Sequence, residues 1–408
     1  MEIVFMRNLR IIFVISMLMA LTVFFSRCFN GNSLTGIDPR GDQYAGANAC
    51  MSCHQSECSS YTHSNHYRTS SSVNGQRLKQ LIASSSKEPF YFSDSSHVSV
   101  EENDNAFFQS SFSADRRTAS EKFDIAFGSG EKAQTYGYWK DDQLYQLPLT
   151  WYASMHAWAN SPGFSPRHAR YERTIGVRCF ECHASYANRV VQQTGALTTV
   201  EALDKASIVY GIDCERCHGP ALQHVKYQQE NPSAKTAKYI VPIRSLTRQQ
   251  QLDICAVCHS GNDREPQWSL FAFAPGDTLS HFYFPDFGSG AGEPDVHGKQ
   301  VQLLQASRCF IKTAMTCTTC HSPHMPEDKD NRPTGFAAKC MDCHQGSSHA
   351  IDVLKDNEQK KRDFNLVGAN CIDCHMPLQT SKTIYFNNGI GVKNIPYLVR
   401  THKIGIYK

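Results

Sequence analysis

The sequence predicts a mainly α and irregular fold with little regular secondary structure, plus a small antiparallel β-subdomain. Three observations carry this reading. The pattern Cys-x-x-Cys-His occurs seven times and takes 14 of the 17 cysteines. Six of the seven copies crowd into residues 179–375, which leaves too little chain between them for ordinary apolar cores. The long gap between the first and second copies instead carries short aromatic and β-branched runs separated by turn residues.

The seven copies are Cys50-Met-Ser-Cys53-His54, Cys179-Phe-Glu-Cys182-His183, Cys214-Glu-Arg-Cys217-His218, Cys255-Ala-Val-Cys258-His259, Cys317-Thr-Thr-Cys320-His321, Cys340-Met-Asp-Cys343-His344 and Cys371-Ile-Asp-Cys374-His375. This pattern attaches c-type haem: two thiols bond the haem edge, and the adjacent imidazole becomes the proximal iron ligand. With 17 cysteines and 18 histidines in 408 residues, chance would supply roughly 0.03 matches. Zinc is the competing use of paired Cys-x-x-Cys elements, but zinc does not need a histidine after every second cysteine. Two cysteines separated by two residues also form redox pairs more readily than structural staples. The expectation is seven covalent haems c, which themselves supply the core of the crowded region.

The chain opens with Arg7 and Arg10, and Ile11–Phe25 is an unbroken apolar or small-residue run. Fifteen residues fall short of the about 20 that span a bilayer and suit the apolar region of an export signal. An uncleaved anchor is the alternative. Ser26-Arg27-Cys28 resembles a lipoprotein cleavage box, in which Cys28 would carry lipid, although Arg27 departs from the usual small residue. The resulting division is 1–28 signal, 29–84 first haem segment, 85–155 β-rich insert and 156–408 six-haem region. A periplasmic or cell-envelope location follows, with a lipid anchor if Cys28 is modified. The formal charge of +3 is misleading, because haem propionates would make the loaded protein acidic unless they are buried against Arg and Lys. The basic residues are scattered, so nothing favours a nucleic-acid partner.

Within the β-rich insert, Pro89–Phe92, His97–Val100 and Phe107–Phe112 read as strands, with a turn at 102–105. Gln134–Trp139 and Gln143–Tyr152 read as a hairpin turning at 140–142. Pro148 marks its strand as an edge or a bulge.

Eleven histidines lie outside the motifs, enough for a second imidazole on every iron. Two imidazoles close the iron to substrate and favour electron transfer. His324, His349 and His224 follow motif histidines at three, five and six residues. A side chain that close cannot easily wrap around its own haem, so each is read as a ligand to a neighbouring one. His66, His297 and His402 complete the distal candidates. His63 competes with His66; His156, His168 and His97 are weaker. Met325 and Met376 read as packing residues. Cys58 and Cys309 lie outside the motifs, either bridged to each other or free.

Tyr44-Ala-Gly46 ahead of Cys50, Tyr61-Thr-His63-Ser-Asn-His66, Cys214-Glu-Arg-Cys-His-Gly-Pro220 with His224, and Cys317-Thr-Thr-Cys-His-Ser-Pro-His324 resemble bacterial multihaem cytochromes of the cytochrome c-552/c-554 superfamily. That group is related to hydroxylamine-oxidising and nitrite-reducing multihaem enzymes. The resemblance implies a multihaem cytochrome fold, and distal-ligand roles for His66, His224 and His324. It covers most of the chain after the signal, with the β-rich insert outside its best-defined part. The nitrite-reducing relatives carry Lys in place of the motif His at their catalytic haem, whereas all seven motifs here end in His.

The leading expectation is an exported carrier or conduit that moves electrons through mostly bis-histidine haems in a respiratory chain, between a quinol-oxidising complex, other cytochromes or a terminal reductase. No catalytic residue is assigned. The alternative is an oxidoreductase acting on a small nitrogen or sulfur oxyanion at one five-coordinate haem, with Arg167, His168, Arg170 and Arg173 orienting the anion. A third reading makes the β-subdomain the docking surface of a non-catalytic subunit through Tyr136, Tyr138 and Trp139, with the subdomain's own core as the equal alternative for these aromatics.

Overall fold

The computed structural model describes residues 38–85, 88–165, 167–285, 292–326, 332–345, 370–386, 390 and 395–407. Cys28, the expected signal of residues 1–28 and His349 lie outside the described residues.

Helices α1 (Ala47–Met51) and α2 (Gln55–Tyr61) carry and follow the first motif. Helix α3 (Gly75–Ser84) starts where the Asn74 side chain accepts the Arg77 N–H, a standard N-terminal cap. It turns Leu78, only 2% exposed, toward the sheets that follow.

Two antiparallel sheets occupy residues 70–160. The first is a meander of β2 (Phe90–Ser93), β3 (Ser96–Asn103), β4 (Ala106–Ser113) and β5 (Arg116–Lys122). Asn103 pairs with Ala106, and Asp104 and Asn105 between them both have φ near +50 to +60°. That is the two-residue turn whose twist matches a hairpin, and Asp and Asn tolerate it. The second sheet contains β1 (Ser70–Ser72), β6 (Ile125–Phe127), β7 (Ala133–Lys140), β8 (Gln143–Gln146), β9 (Leu149–Tyr152) and β10 (Ala157–Asn160). Its order is β1-β6-β7-β9-β10, with β8 also on β7. Pro148 divides the expected single strand: β8 pairs the far half of β7 and β9 the near half. A residue with no N–H cannot continue the ladder.

Leu78, Phe107, Phe123, Tyr136, Tyr138, Leu147 and Trp151 form one buried cluster between α3 and the sheets. Burying a Leu or Phe of this kind contributes roughly 1.5–3 kcal/mol. Tyr136 (1% exposed) and Tyr138 (5%) therefore belong to the interior, and the docking role read for them falls.

The remaining chain winds through short helices: α4 (Val177–His183), α5 (Cys214–His218), α6 (Leu222–Glu230), α7 (Arg248–His259), α8 (Gln300–Gln305), α9 (Arg308–Lys312), α10 (Arg332–Met341) and α11 (Cys371–His375). Helix α7, the longest, opens with a capping box between Thr247 and Gln250. The fifth motif sits on a 3₁₀ turn, Cys317–Thr319.

The mainly α expectation needs correction, because strand and helix contribute almost equally. Strands also lie outside residues 85–155. Strand β11 (Ala184–Gln193) pairs with β12 (Thr199–Tyr210), and β13 (Leu378–Phe386) with β14 (Ile395–Arg400). The outer half of β11 is exposed on both faces, so its side chains had no reason to alternate apolar and polar.

Candidate functional site

One continuous cavity of about 3730 Å³ runs through the molecule, several times the roughly 300–1,000 Å³ of an ordinary ligand pocket. The two cysteines and the histidine of every motif line it, except Cys343 of the sixth. Beside this cavity the motif region keeps only small apolar clusters, such as Ala256 and Val257 of the fourth motif against Leu270, Phe273 and Leu279, whereas the sheets around Tyr136 are filled by their own side chains.

Histidine rings face one another across this cavity in pairs. The ring centres of His66 and His259 lie 6.0 Å apart, those of His218 and His324 5.8 Å, and those of His321 and His402 6.2 Å. Two metal–imidazole bonds of about 2 Å each plus two ring radii add up to roughly 6 Å. His297 forms a fourth association: it lies close enough to His183 to disfavour a proton there. Each pair joins one motif histidine to one non-motif histidine from a distant part of the chain.

Burial, reinforced by the neighbouring imidazole, holds His183 and His218 below the ordinary histidine range. The same causes push His259 down to about 4. These rings are therefore neutral at pH 7, the form that binds a metal. Several are oriented through Nδ1. The Nδ1 of His183 lies 3.0 Å from the Thr69 hydroxyl, and that of His375 donates to the Gly405 carbonyl at 2.8 Å. His224 Nδ1 donates to the Lys238 carbonyl at 2.9 Å. Such a bond fixes the tautomer and leaves Nε2 for the metal. His224 lines the cavity but makes no ring pair of the kind above among the described residues. His63 donates to Ser59 O at 2.8 Å, while His66 is the one that meets a motif ring.

Thiols of different motifs come within hydrogen-bonding reach of each other. Cys50 meets Cys214, Cys182 meets Cys258, Cys255 meets Cys317, and Cys340 meets Cys371. The fourth motif therefore touches the second through one cysteine and the fifth through the other.

Buried carboxylates hold the motifs together, a role the sequence reading missed. Glu215, inside the third motif, accepts the N–H groups of Ala45 at 2.9 Å, Gly46 at 2.9 Å and Ala221 at 2.8 Å. Arg40 bonds Glu215 at 3.1 Å, Asp213 at 2.8 Å and Asp38 at 2.9 Å. This ties the approach to the first motif onto the third. Glu181, inside the second motif, accepts Leu270 N–H at 2.8 Å and pairs with Arg178. Its carbonyl accepts Arg216 of the third motif at 3.2 Å and the Cys258 thiol of the fourth at 3.7 Å. The only sequence signal was an acidic residue between the paired cysteines, which otherwise reads as surface. Asp295 is a third hub: burial alone would raise it, but hydrogen bonds from Thr383, Lys382 and Ser381 pull its carboxyl down to about 2.

Other expected groupings do not form. Of Arg167, His168, Arg170 and Arg173, only Arg173 lines the cavity. Arg170 bonds His168 and Arg173 lies over Phe164, so no anion-orienting cluster is assembled. Cys58 lies beside Cys214, Cys309 near Cys320, and both are free thiols rather than a bridge. His156 meets Trp151, and His97 stacks on Phe112 in the outer sheet.

The donor set fits c-type haem. Paired thiols and a neutral imidazole line one wall, and a second imidazole stands at the separation that linear coordination requires. Zinc fits less well: among the described residues no group of three or more His, Cys, Asp and Glu side chains converges to hold a metal ion.

Residues 310–387 match the cytochrome c3 family model, and residues 135–219 the cytochrome c554 and c-prime model. The second match takes in most of β7 and all of β8–β10, which the resemblance in sequence had left at its margin. The chain is 27% identical over 180 residues to the multiheme cytochrome MtrA of Shewanella baltica, covering 41% of this chain and 51% of that one. It thus spans about half the length of that curated relative. The crystal structure of the outer cell wall cytochrome OcwA is similar over 89% of this chain and 80% of its own, with a TM-score of 0.52. At 16% identity that likeness is one of fold.

Proposed function

We propose that the chain is a bacterial multihaem c-type cytochrome, an exported seven-haem protein whose task is electron transfer rather than turnover of a substrate. The observation that carries the proposal is the set of histidine pairs at 5.8–6.2 Å across the cavity. When bound, c-type haem supplies a one-electron iron couple, and two imidazole ligands lower its potential relative to a His/Met pair.

The chain's own residues supply attachment, ligand orientation and shielding. Cys50, Cys53, Cys179, Cys182, Cys214, Cys217, Cys255, Cys258, Cys317, Cys320, Cys340, Cys343, Cys371 and Cys374 would form the thioether bonds. The proximal ligands would be His54, His183, His218, His259, His321, His344 and His375. His66, His297, His324 and His402 would be the distal ligands opposite His259, His183, His218 and His321, with His224 and His349 serving other sites. Buried neutral imidazoles bind without first losing a proton, and fixed Nδ1 bonds restrict how far a ring swings between oxidation states. Contact between thiols of separate motifs groups the attachment points as the first with the third, the second with the fourth and fifth, and the sixth with the seventh. The absence of an assembled cationic cluster weakens the oxyanion reading.

The location proposed is periplasmic or cell-envelope, with a lipid on Cys28 as anchor. Among the described residues no helix is long and apolar enough to cross a membrane. The partners proposed are redox proteins: a quinol-oxidising complex, other cytochromes or a terminal reductase. Mass spectrometry of the mature protein, combined with low-temperature electron paramagnetic resonance, tests the proposal. Seven added haems with ferric signals almost entirely low-spin are expected. Fewer haems, or a dominant high-spin population in the resting protein, would overturn it.

A further inference from the structure

Asp295 accepts five hydrogen bonds. Its Oδ2 accepts the Thr383 hydroxyl at 2.6 Å, the Ser381 hydroxyl at 3.0 Å and the Thr383 N–H at 3.1 Å. Its Oδ1 accepts the Lys382 N–H at 3.1 Å and the His297 N–H at 3.4 Å. The residue is only 7% exposed. A buried carboxylate with five donors fixes the two segments it joins, because releasing either would strand a desolvated charge.

One of those segments is an interruption in a sheet. The β13–β14 ladder runs from Leu378↔Arg400 to Thr380↔Leu398 and resumes only at Tyr385↔Pro396. Residues 381–384 are the irregularity, and within it the Lys382 and Thr383 N–H groups turn to Asp295 while that of Ile384 donates to Ser381 Oγ. Bulges of this kind re-aim groups near functional sites. The other segment is Asp295–Gly298. Val296 is buried against Leu303 and Val399, and Gly298 at φ +78° reverses the chain after His297. The His297 ring packs edge-on against Tyr397 of β14, with centres 6.2 Å apart. The same hairpin carries His402 two residues beyond its end, after Thr401, which is wholly buried. One C-terminal hairpin thus sets two of the histidines that face motif rings: His402 through the chain itself and His297 through a side chain.

We propose that Asp295 is the positioning residue for His297 as the axial ligand opposite His183, clamping that ligand to the β13 bulge. The inference rests on the haem-carrying reading given above. It concerns one ligand only and no substrate chemistry.

The test uses the full-length, matured protein with Asp295→Ala, and as a second variant Ser381→Ala/Thr383→Val, which leaves the carboxylate and removes hydroxyl donors. Haem content by mass spectrometry is measured first. A wild-type protein short of seven haems defeats the parent reading and not this one. With content unchanged, Asp295→Ala is expected to convert up to one haem equivalent to high-spin ferric iron. It should also create carbon monoxide binding in the reduced protein, and added imidazole should restore the low-spin signal. Those three readouts separate loss of a ligand from general loosening. His297→Ala should give the same single equivalent, and the Asp295→Ala/His297→Ala pair no more than His297→Ala alone. His402→Ala should convert a different haem. Ferric spectra of Asp295→Ala and of Ser381→Ala/Thr383→Val both identical to wild type would overturn the proposal. So would an Asp295→Ala high-spin signal that adds to that of His297→Ala.

Discussion

Arg40 places its guanidinium among Asp38, Asp213 and Glu215 with only 4% of its side chain exposed, and stacks it 4.3 Å over the Tyr44 ring. Removing one partner of such a buried network leaves uncompensated charge, at a cost of about 3–5 kcal/mol. Arg40→Ala is therefore expected to lower the stability of the matured protein by that amount in urea titration, while Arg117→Ala, at an exposed pair with Glu101, changes it by less than about 1 kcal/mol. His324 offers the matching prediction for ligation. The planes of its ring and that of His218 are inclined by 19°, and His324→Ala should open that position. One additional high-spin haem and new carbon monoxide binding are expected, and an unchanged spectrum would show that another group occupies the sixth position. The pairings themselves were only partly legible in the chain. Composition shows that enough histidines exist, and short offsets after a motif single out His224 and His324. Only the fold reveals that the His66 ring lies beside that of His259, some 190 residues away, because groups that meet only in space leave no spacing rule behind.

Helix α3 and the two sheets form the part of the protein that folds by ordinary apolar packing. Leu78 of α3 is 2% exposed against Phe107 and Tyr136. Leu78→Ala should cost about 2–5 kcal/mol, through lost transfer energy and the cavity left behind. Thermal unfolding followed at the tyrosine and tryptophan bands should report it. Here sequence reading succeeded best. Strands β4 and β7 bury Phe107, Tyr136 and Tyr138 in this core, β2 and β3 bury Phe90, Phe92 and Val98 in a neighbouring one with Leu149 and Tyr152, and the Asp104–Asn105 turn is written in residue type. It failed at β11–β12 and β13–β14. The outer half of β11 is wet on both faces, and β13 is broken by a bulge that exists to meet Asp295, so neither carries a clean two-residue period. The Cys-x-x-Cys-His helices gave the opposite lesson. Their existence is legible from the motif alone, but at five to twelve residues most are too short to be stable unaided, so nothing in helix propensity announces them.

At the scale of the molecule two regimes coexist: sheets filled by their own side chains, and a shell of motif helices around a cavity of about 3730 Å³. Chain produced without haem attachment should divide along this line. Hydrogen exchange is expected to show β2–β10 protected and the segment from Cys214 to His259 exchanging freely. Uniform protection across both would refute the division. The contacts between thiols of different motifs carry a further consequence, for biogenesis. In an oxidising compartment Cys182 and Cys258, or Cys255 and Cys317, would cross-link if they met bare. The chain must therefore receive its porphyrins while still open, and any delay in maturation would be recorded as disulfides between sulfurs that the finished protein holds side by side but unjoined.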